Sequence, residues 1–274
     1  MTEHEPTPIV ETRLAPERTT PDWRRLEVVA RRFEQPLQEG IARALANKTE
    51  IDEGTARCIA HTLGRALGPE SRLAAFARDG EGSYFDLRDE YLDLYNAEEA
   101  TPKVKELINW LGTYLVAAEN RGSGVRPRDA AQPPSLDRIL VRTRVTTSGH
   151  PTTIYVPGTL NSKDIETLVG GLEECAEFFG AAFRAYLSLP DVNAADNDLL
   201  DTFNENYAGS FDSYEDAAHF LSPLEDWEIE LANWADDHGL PPDAVELHVD
   251  YVIQQTREAY DLIEEGGRLH AFGT

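Results

Sequence analysis

Lysine is nearly absent from this 274-residue chain: only Lys48, Lys103, Lys105 and Lys163 occur among its 25 bases. Against them stand 50 acids, a formal net charge of -25. A surface of that sign repels phosphate over its whole extent, which argues against direct nucleic-acid binding and favours a basic partner or high solubility. Cysteine is scarce too. Cys58 and Cys175 lie far apart, each in a helical pattern, and read as buried free thiols rather than as a disulfide or metal pair. No apolar run reaches membrane-spanning length, and "MTEHEPTPIVETRLAPERTTPDW" lacks the apolar stretch of a signal peptide. A cytoplasmic protein without membrane contact is expected.

Signatures of chemistry are missing as well. "DGEGSY" at 79–84 lacks the lysine and the strand-to-helix setting of a phosphate loop. His219, His238, His248 and His270 have neither i,i+4 partners nor an HExxH arrangement, and read as surface or satisfied core histidines. No GxSxG occurs, Cys58 and His61 are a one-turn helical pair, and the spacing of a calcium-binding EF-hand loop is absent. Adjacent acids such as Asp236 and Asp237 arise by chance in so acidic a chain. No catalytic residue, cofactor or metal is expected.

What is present is a foldable chain, 41% hydrophobic and 9% aromatic. Residues 1–21, with four prolines, read as a flexible tail. From Asp22, apolar residues recur at spacings of three and four: Trp23, Leu26, Val29, Ala30, Phe33 and Leu37. Pro36 should break that first helix. "DEGTARCIAHTLGRALG", "SRLAAFARDG", "SYFDLRDEYLDLYN" and "TPKVKELINWLGTYLVAAEN" continue an all-helical N-terminal domain over 22–120. "RGSGVRPRDAAQPPS", 121–135, reads as a linker. Beyond it lies an acidic α+β domain, 136–274. Its first part, "RILVRTRVTTSGHPTTIYVPGTL", alternates in period two about Ser148-Gly149, a β-hairpin. A long helix capped by Asn161 or Ser162 and ended by Pro190 follows, then a short helix "DNDLLDTFNENYA" with Tyr207 on its apolar face. Ser213 and Asp216 open another, and Ser222-Pro223-Leu224-Glu225 starts the next. A last helix is expected near 250–264, and "RLHAF" as a strand. The fold class is thus predominantly helical α+β, with acidic helices packed on a small antiparallel sheet.

Charge is distributed unevenly along this plan. From Leu200 to the end there are 18 acids and only Arg257 and Arg268 as bases, a balance of -16, whereas the preceding 199 residues balance at -9. Adaptation to a salt-loving host would coat the whole surface, so the concentration at one end points to a local purpose. In "LEDWEIELANWADD", a helical projection puts Trp227, Leu231, Trp234 and Ala235 on one face, where they would bury together. Like charges at i,i+4 cost about 0.2–0.5 kcal/mol each, and the two tryptophans would offset this with a burial term of about a few kcal/mol. A rigid element presenting carboxylates results. Duplex DNA presents one charge per ~1.7 Å of axis, and a protein that grips DNA through Lys and Arg would accept either surface.

"FNENYAGSFDSYEDAAHFL" followed by "LHVDYVIQQTREAYDLIEEGGRLHAF" resembles the C-terminal part of the ArdA antirestriction proteins. The matching positions are Phe203, Glu205, Tyr207, Gly209, Phe211, Asp212, Ser213, Glu215 and Asp216, then Asp250, Tyr251 and Phe272. Upstream, "DIETLVGGLEECAEFFGAAFRAYLS" is similar to the family's acidic helix leading to AFxAYL. The likeness covers about residues 150–274, and the family's N-terminal α/β domain is not recognisable in the helical sequence before it. The resemblance implies a non-enzymatic, elongated, acidic and usually dimeric DNA mimic that occupies the DNA-binding groove of type I restriction–modification enzymes. The imitating surface would comprise Asp201, Glu205, Asp212, Glu215, Asp216, Glu225, Asp226, Glu228, Glu230, Asp236 and Asp237.

Two other classes compete. In the first, an adaptor would hold one protein with its N-terminal half, where Arg24, Arg25, Arg31 and Arg32 form a basic helix, and a basic partner with its acidic half. The second, a hydrolase or metal enzyme, would need acids and histidines converging on a cleft.

Overall fold

Six helices lie between Trp23 and Glu119, and most of their starts are set by side chains that accept the backbone N–H groups a helix leaves unpaired. In the computed structural model, which describes residues 20–124, 133–241 and 244–273, these are α1 (Trp23–Arg32), α2 (Glu34–Asn47), α3 (Glu53–Leu67), α4 (Arg72–Asp79), α5 (Tyr84–Asn96) and α6 (Pro102–Glu119). Asp22 accepts from Arg25 N at 3.0 Å, Asp52 from Thr55 N at 2.8 Å and Ser71 from Ala74 N at 2.9 Å. Ser83 and Asp86 form a reciprocal capping box. The break expected at Pro36 falls instead at Phe33, which ends α1 and precedes α2. Pro36 is then the third residue of α2, inside the first turn, where a missing N–H costs nothing.

Ile59, Leu63, Leu73, Leu87, Tyr91, Trp110 and Leu111 form the centre of this helical core, each at most 1% exposed. Where α3 crosses α4 the backbones come so close that a Cβ on Gly64 would lie 2.7 Å from Ala74 N. Cys58 and Cys175 are free thiols, as expected, but half-buried rather than buried.

Most of 121–135, and residues 1–19 of the expected tail, lie outside the described residues. At the far side of the junction, Leu136 packs into the helical core and its N–H donates to Asn109 Oδ1 at 3.2 Å. The hairpin follows: β1 (Leu140–Thr147) and β2 (His150–Pro157) pair antiparallel about Ser148 and Gly149, both at positive φ, as a two-residue turn of this kind requires. The Asn120 side chain at the end of α6 donates to Leu140 O at 2.7 Å and accepts from Arg142 N at 3.0 Å. Tyr84 Oη donates to Gly158 O at 3.2 Å, and Ser162 N to Asp89 Oδ1 at 3.0 Å. Val141 belongs to the helical core while its cross-strand neighbour Val156 belongs to the next one.

The remaining elements are α7 (Ser162–Leu187), α8 (Leu199–Asn206), β3 (Tyr207–Phe211), α9 (Tyr214–Leu221), α10 (Leu224–Asp237), α11 (Val249–Ala259), β4 (Tyr260–Glu265) and β5 (Arg268–Gly273). Asn161 caps α7, its Oδ1 accepting from Asp164 N at 3.0 Å. The three strands form an antiparallel sheet in the order β3-β5-β4. Eleven helices and two small antiparallel sheets among the described residues make the chain a predominantly helical α+β protein, as its sequence patterning indicates.

Two elements depart from the sequence pattern. Tyr207 does not extend α8; it opens β3 and pairs with Phe272. The last helix stops at Ala259, and 260–265 is strand β4, paired with β5 across a turn at Gly266 and Gly267 with φ of 60° and 79°. Both stretches have helix-compatible composition, and pairing with the central strand overrides it. The third departure is a bend. Gly180 sits inside α7 at φ 61° and ψ -133°, a combination that residues with a Cβ avoid. Nothing lies within 4 Å of a Cβ built there, so substitution would strain the backbone without a clash. Gly180→Ala should therefore lower unfolding free energy by about 1–3 kcal/mol, read from chemical denaturation; an unchanged midpoint would show that α7 can straighten without loss.

Candidate functional site

Aromatic packing positions the first part of the acidic segment. Phe203 of α8 is 1% exposed and lies 5.3 Å, ring centre to ring centre, from Phe183, 5.4 Å from Tyr186 and 5.4 Å from Tyr207. With Phe203 turned inward, Asp201 and Glu205 on the same short helix are exposed. Asp212 stands in the turn after β3. Glu215 and Asp216 occupy the first turn of α9, where Ser213 Oγ accepts from Asp216 N at 3.0 Å. Acids there are favoured by the positive end of the helix dipole, as are Glu225 and Asp226 in the first turn of α10. Asp236 and Asp237 sit at the opposite end of α10, where the dipole disfavours them. Ten of the eleven sequence-predicted acids are exposed, and Glu228 is half-buried.

Few counter-charges reach them. Among the described residues, Arg268 lies 3.2 Å from Asp212 and His219 Nδ1 lies 3.8 Å from Glu228 Oε2. Arg257 is held over the Tyr214 ring at 4.9 Å. Both arginines after Leu200 are therefore engaged, and the single exposed ion pair of Arg268 is worth about 0–1 kcal/mol. The acids do not all share one support. Asp201 and Glu205 ride on the aromatic core of α7, α8 and β5, while α9 and α10 rest on two smaller clusters around Ala217 and Leu224.

The expected inward face of α10 is corrected. Trp227 and Trp234 are 42% and 48% exposed and Ile229 is 54% exposed, whereas Leu224 and Ala235 are buried and Glu228 and Leu231 half-buried. The inward stripe thus runs 224, 228, 231, 235, rotated away from the tryptophans. Their burial cannot offset the repulsion between carboxylates. Size misled the projection: the two largest apolar side chains lie outside, and a small one, Ala235, lies inside. Phe220 and Tyr251 are exposed as well, at 72% and 65%. Exposed aromatics interleaved with acids are the part of this surface that the helical projection missed, since periodicity puts Trp227 and Trp234 on one face without saying which way it turns.

Elsewhere a polar hollow of about 210 Å³ is lined by Tyr186, Asp191, Asn193, Asp196, Thr202 and Asp261. Burial, and then the like charge of Asp191, raise the pKa of Asp261 above the ordinary aspartate value. No group of three or more His, Cys, Asp or Glu among the described residues is placed to hold a metal ion. No helix among them is long and apolar enough to cross a membrane.

His270 is 4% exposed on the central strand, with Nε2 3.2 Å from Glu265 O and no hydrogen-bond partner at Nδ1 among the described residues. Burial pushes its pKa down; Arg268 and Arg184 add to this, and Glu265 opposes it.

Comparison of the chain with protein-family models, with curated proteins and with solved structures finds no match in any of the three. The likeness to the ArdA family accordingly rests on the short motifs themselves.

Two outcomes follow from this geometry. Trp227→Ser and Trp234→Ser should each change stability by less than about 1 kcal/mol, against about 3–5 kcal/mol for a buried tryptophan such as Trp110 replaced by Ala. Chemical denaturation of the three variants checks the ranking. Burial disfavours the charged form of His270 in the folded state, so its contribution to stability is intact above the unfolded value of about 6.5 and is lost as pH falls below it. The melting temperature should drop more between about pH 8 and about pH 5 in the wild type than in His270→Gln. Parallel curves would refute the assignment.

Proposed function

We propose that this chain is a non-enzymatic DNA mimic whose α8–α10 surface occupies the DNA-binding site of a basic defence enzyme, a type I restriction–modification enzyme being the partner that the ArdA-like motifs imply. The observation that carries the reading is the set of exposed carboxylates at Asp201, Glu205, Asp212, Glu215, Asp216, Glu225, Asp226, Glu230, Asp236 and Asp237, with both nearby arginines already engaged. A field left uncompensated in this way accelerates encounter with a cationic groove and weakens with salt. Placing a lysine or arginine among these positions would interrupt it. The proposed setting is the cytoplasm, where an incoming DNA and its restriction enzyme meet; no cofactor or metal enters the reading, and a homodimer would lengthen the acidic surface.

A second reading, an acidic adaptor that binds a basic partner without DNA mimicry, is favoured by one observation: Trp227, Ile229, Trp234 and Phe220 are exposed between the acids. Competition separates the two. Duplex DNA should displace a mimic from its captured target and leave an adaptor's partner bound.

For the mimic, purified protein should inhibit DNA cleavage by a type I restriction enzyme at low ionic strength. One charge reversal, such as Glu215→Lys, should weaken inhibition only about fivefold, because each contact contributes about 1 kcal/mol. Reversing Glu215, Asp216, Glu225 and Asp226 together should weaken it about a hundredfold or more. Cleavage and methylation both unaffected at low salt would sink the proposal.

A further inference from the structure

Beside the carboxylates of α10 runs a groove that charge imitation does not require. It is about 380 Å³, set between α10 and the segment leading into α11, with Leu231 and Ala235 on one wall, Val245 and Leu247 on the other, and Glu228 and Glu246 at the margin. That volume lies at the low end of the 300–1,000 Å³ typical of ligand clefts. Trp227 and Trp234 stand exposed on the same helix.

We propose that this groove seats the apolar face of a basic amphipathic helix belonging to a protein partner. The lining accepts aliphatic side chains, as helix-binding grooves do. The surroundings select the flanking charge: residues 200–256 contain no lysine or arginine. Lysines and arginines beside the inserted residues would meet Glu228, Glu246 and the neighbouring acids. A second copy of this chain would bring acids against acids. An anionic lipid surface or a nucleic acid would be repelled in the same way. The inference rests on the reading that a basic protein binds the acidic surface, and adds to it an apolar, salt-resistant contact.

The test uses the full chain and two synthetic peptides of identical leucine and lysine composition, one ordered as an amphipathic helix and one scrambled so that no apolar face forms. A fluorophore on each peptide reports binding through its anisotropy. The amphipathic peptide should bind about tenfold or more tightly than the scrambled one, and that ratio should persist at about 1 M salt while both affinities fall. Ala232 lines the groove yet is exposed, so Ala232→Lys blocks it without removing buried atoms and sets an ammonium one turn from Glu228. That variant should lose the preference, and Ala232→Ser should keep it.

Equal binding of the two peptides would overturn the proposal. So would a concentration-dependent dimer that Ala232→Lys disperses, because the occupant would then be a second copy. Restriction inhibition by Ala232→Lys separates the two readings. Peptides bound equally with inhibition intact would defeat the groove and leave the mimic standing. A clear peptide preference with no inhibition of any restriction enzyme would do the reverse.

Discussion

The packing of Phe203 is the contact on which the acidic half depends. Its ring meets Phe179, Phe183, Tyr186, Tyr207 and Phe272, and so joins the far half of α7, α8 and two strands of the sheet at one point. Charge in this region works against folding. Carboxylates on α8, α9 and α10 repel one another, and among the described residues only Arg268 at Asp212 and His219 at Glu228 approach them as counter-groups. Burial of aromatic area, on the order of 25 cal/mol per Å², is the term large enough to hold the region together. It is concentrated in the cluster around Phe203, directly beneath Asp201 and Glu205 but apart from the smaller clusters that support α9 and α10.

That separation gives α10 its character. The helix is attached through Leu224 at its start and Ala235 near its end, with Glu228 and Leu231 between them. Its tryptophans contribute area to solvent rather than to a core. Trp234 stacks on His238 at 4.3 Å, a local contact along the same helix. Only Ala235 of the inward stripe is small, and the two largest apolar side chains of α10 stay exposed.

Most of the helical architecture was legible in the sequence because its signals are local. Asp22, Asp52, Ser71, Asn161 and Ser213 announce helix starts through a bond to the backbone three residues on, and each forms. Ser148-Gly149 specifies the hairpin in the same way. What was not legible depends on partners distant in sequence. β3 and β4 are strands because β5 lies between them, and neither "YAGSF" nor "YDLIEE" says so alone. The Gly180 bend is equally silent, since glycine within an apolar stripe reads as a tolerated helical residue. At the site, the identity of the exposed acids followed from composition, whereas the orientation of α10 did not: periodicity finds a face, and only the neighbours decide which face is turned in.

Asn120 shows how the chain handles a different hazard. A two-stranded sheet has unpaired N–H and C=O groups along both edges, and such edges recruit strands from other molecules. The carboxamide of Asn120 pairs with the backbone at Leu140 and Arg142 much as a neighbouring strand would, closing one position of that edge with the last turn of a helix. The same side chain thereby fixes where α6 ends relative to where β1 begins, across a junction rich in glycine and proline. One pair of hydrogen bonds thus both blocks a position on an open sheet edge and helps dock the hairpin on the helices.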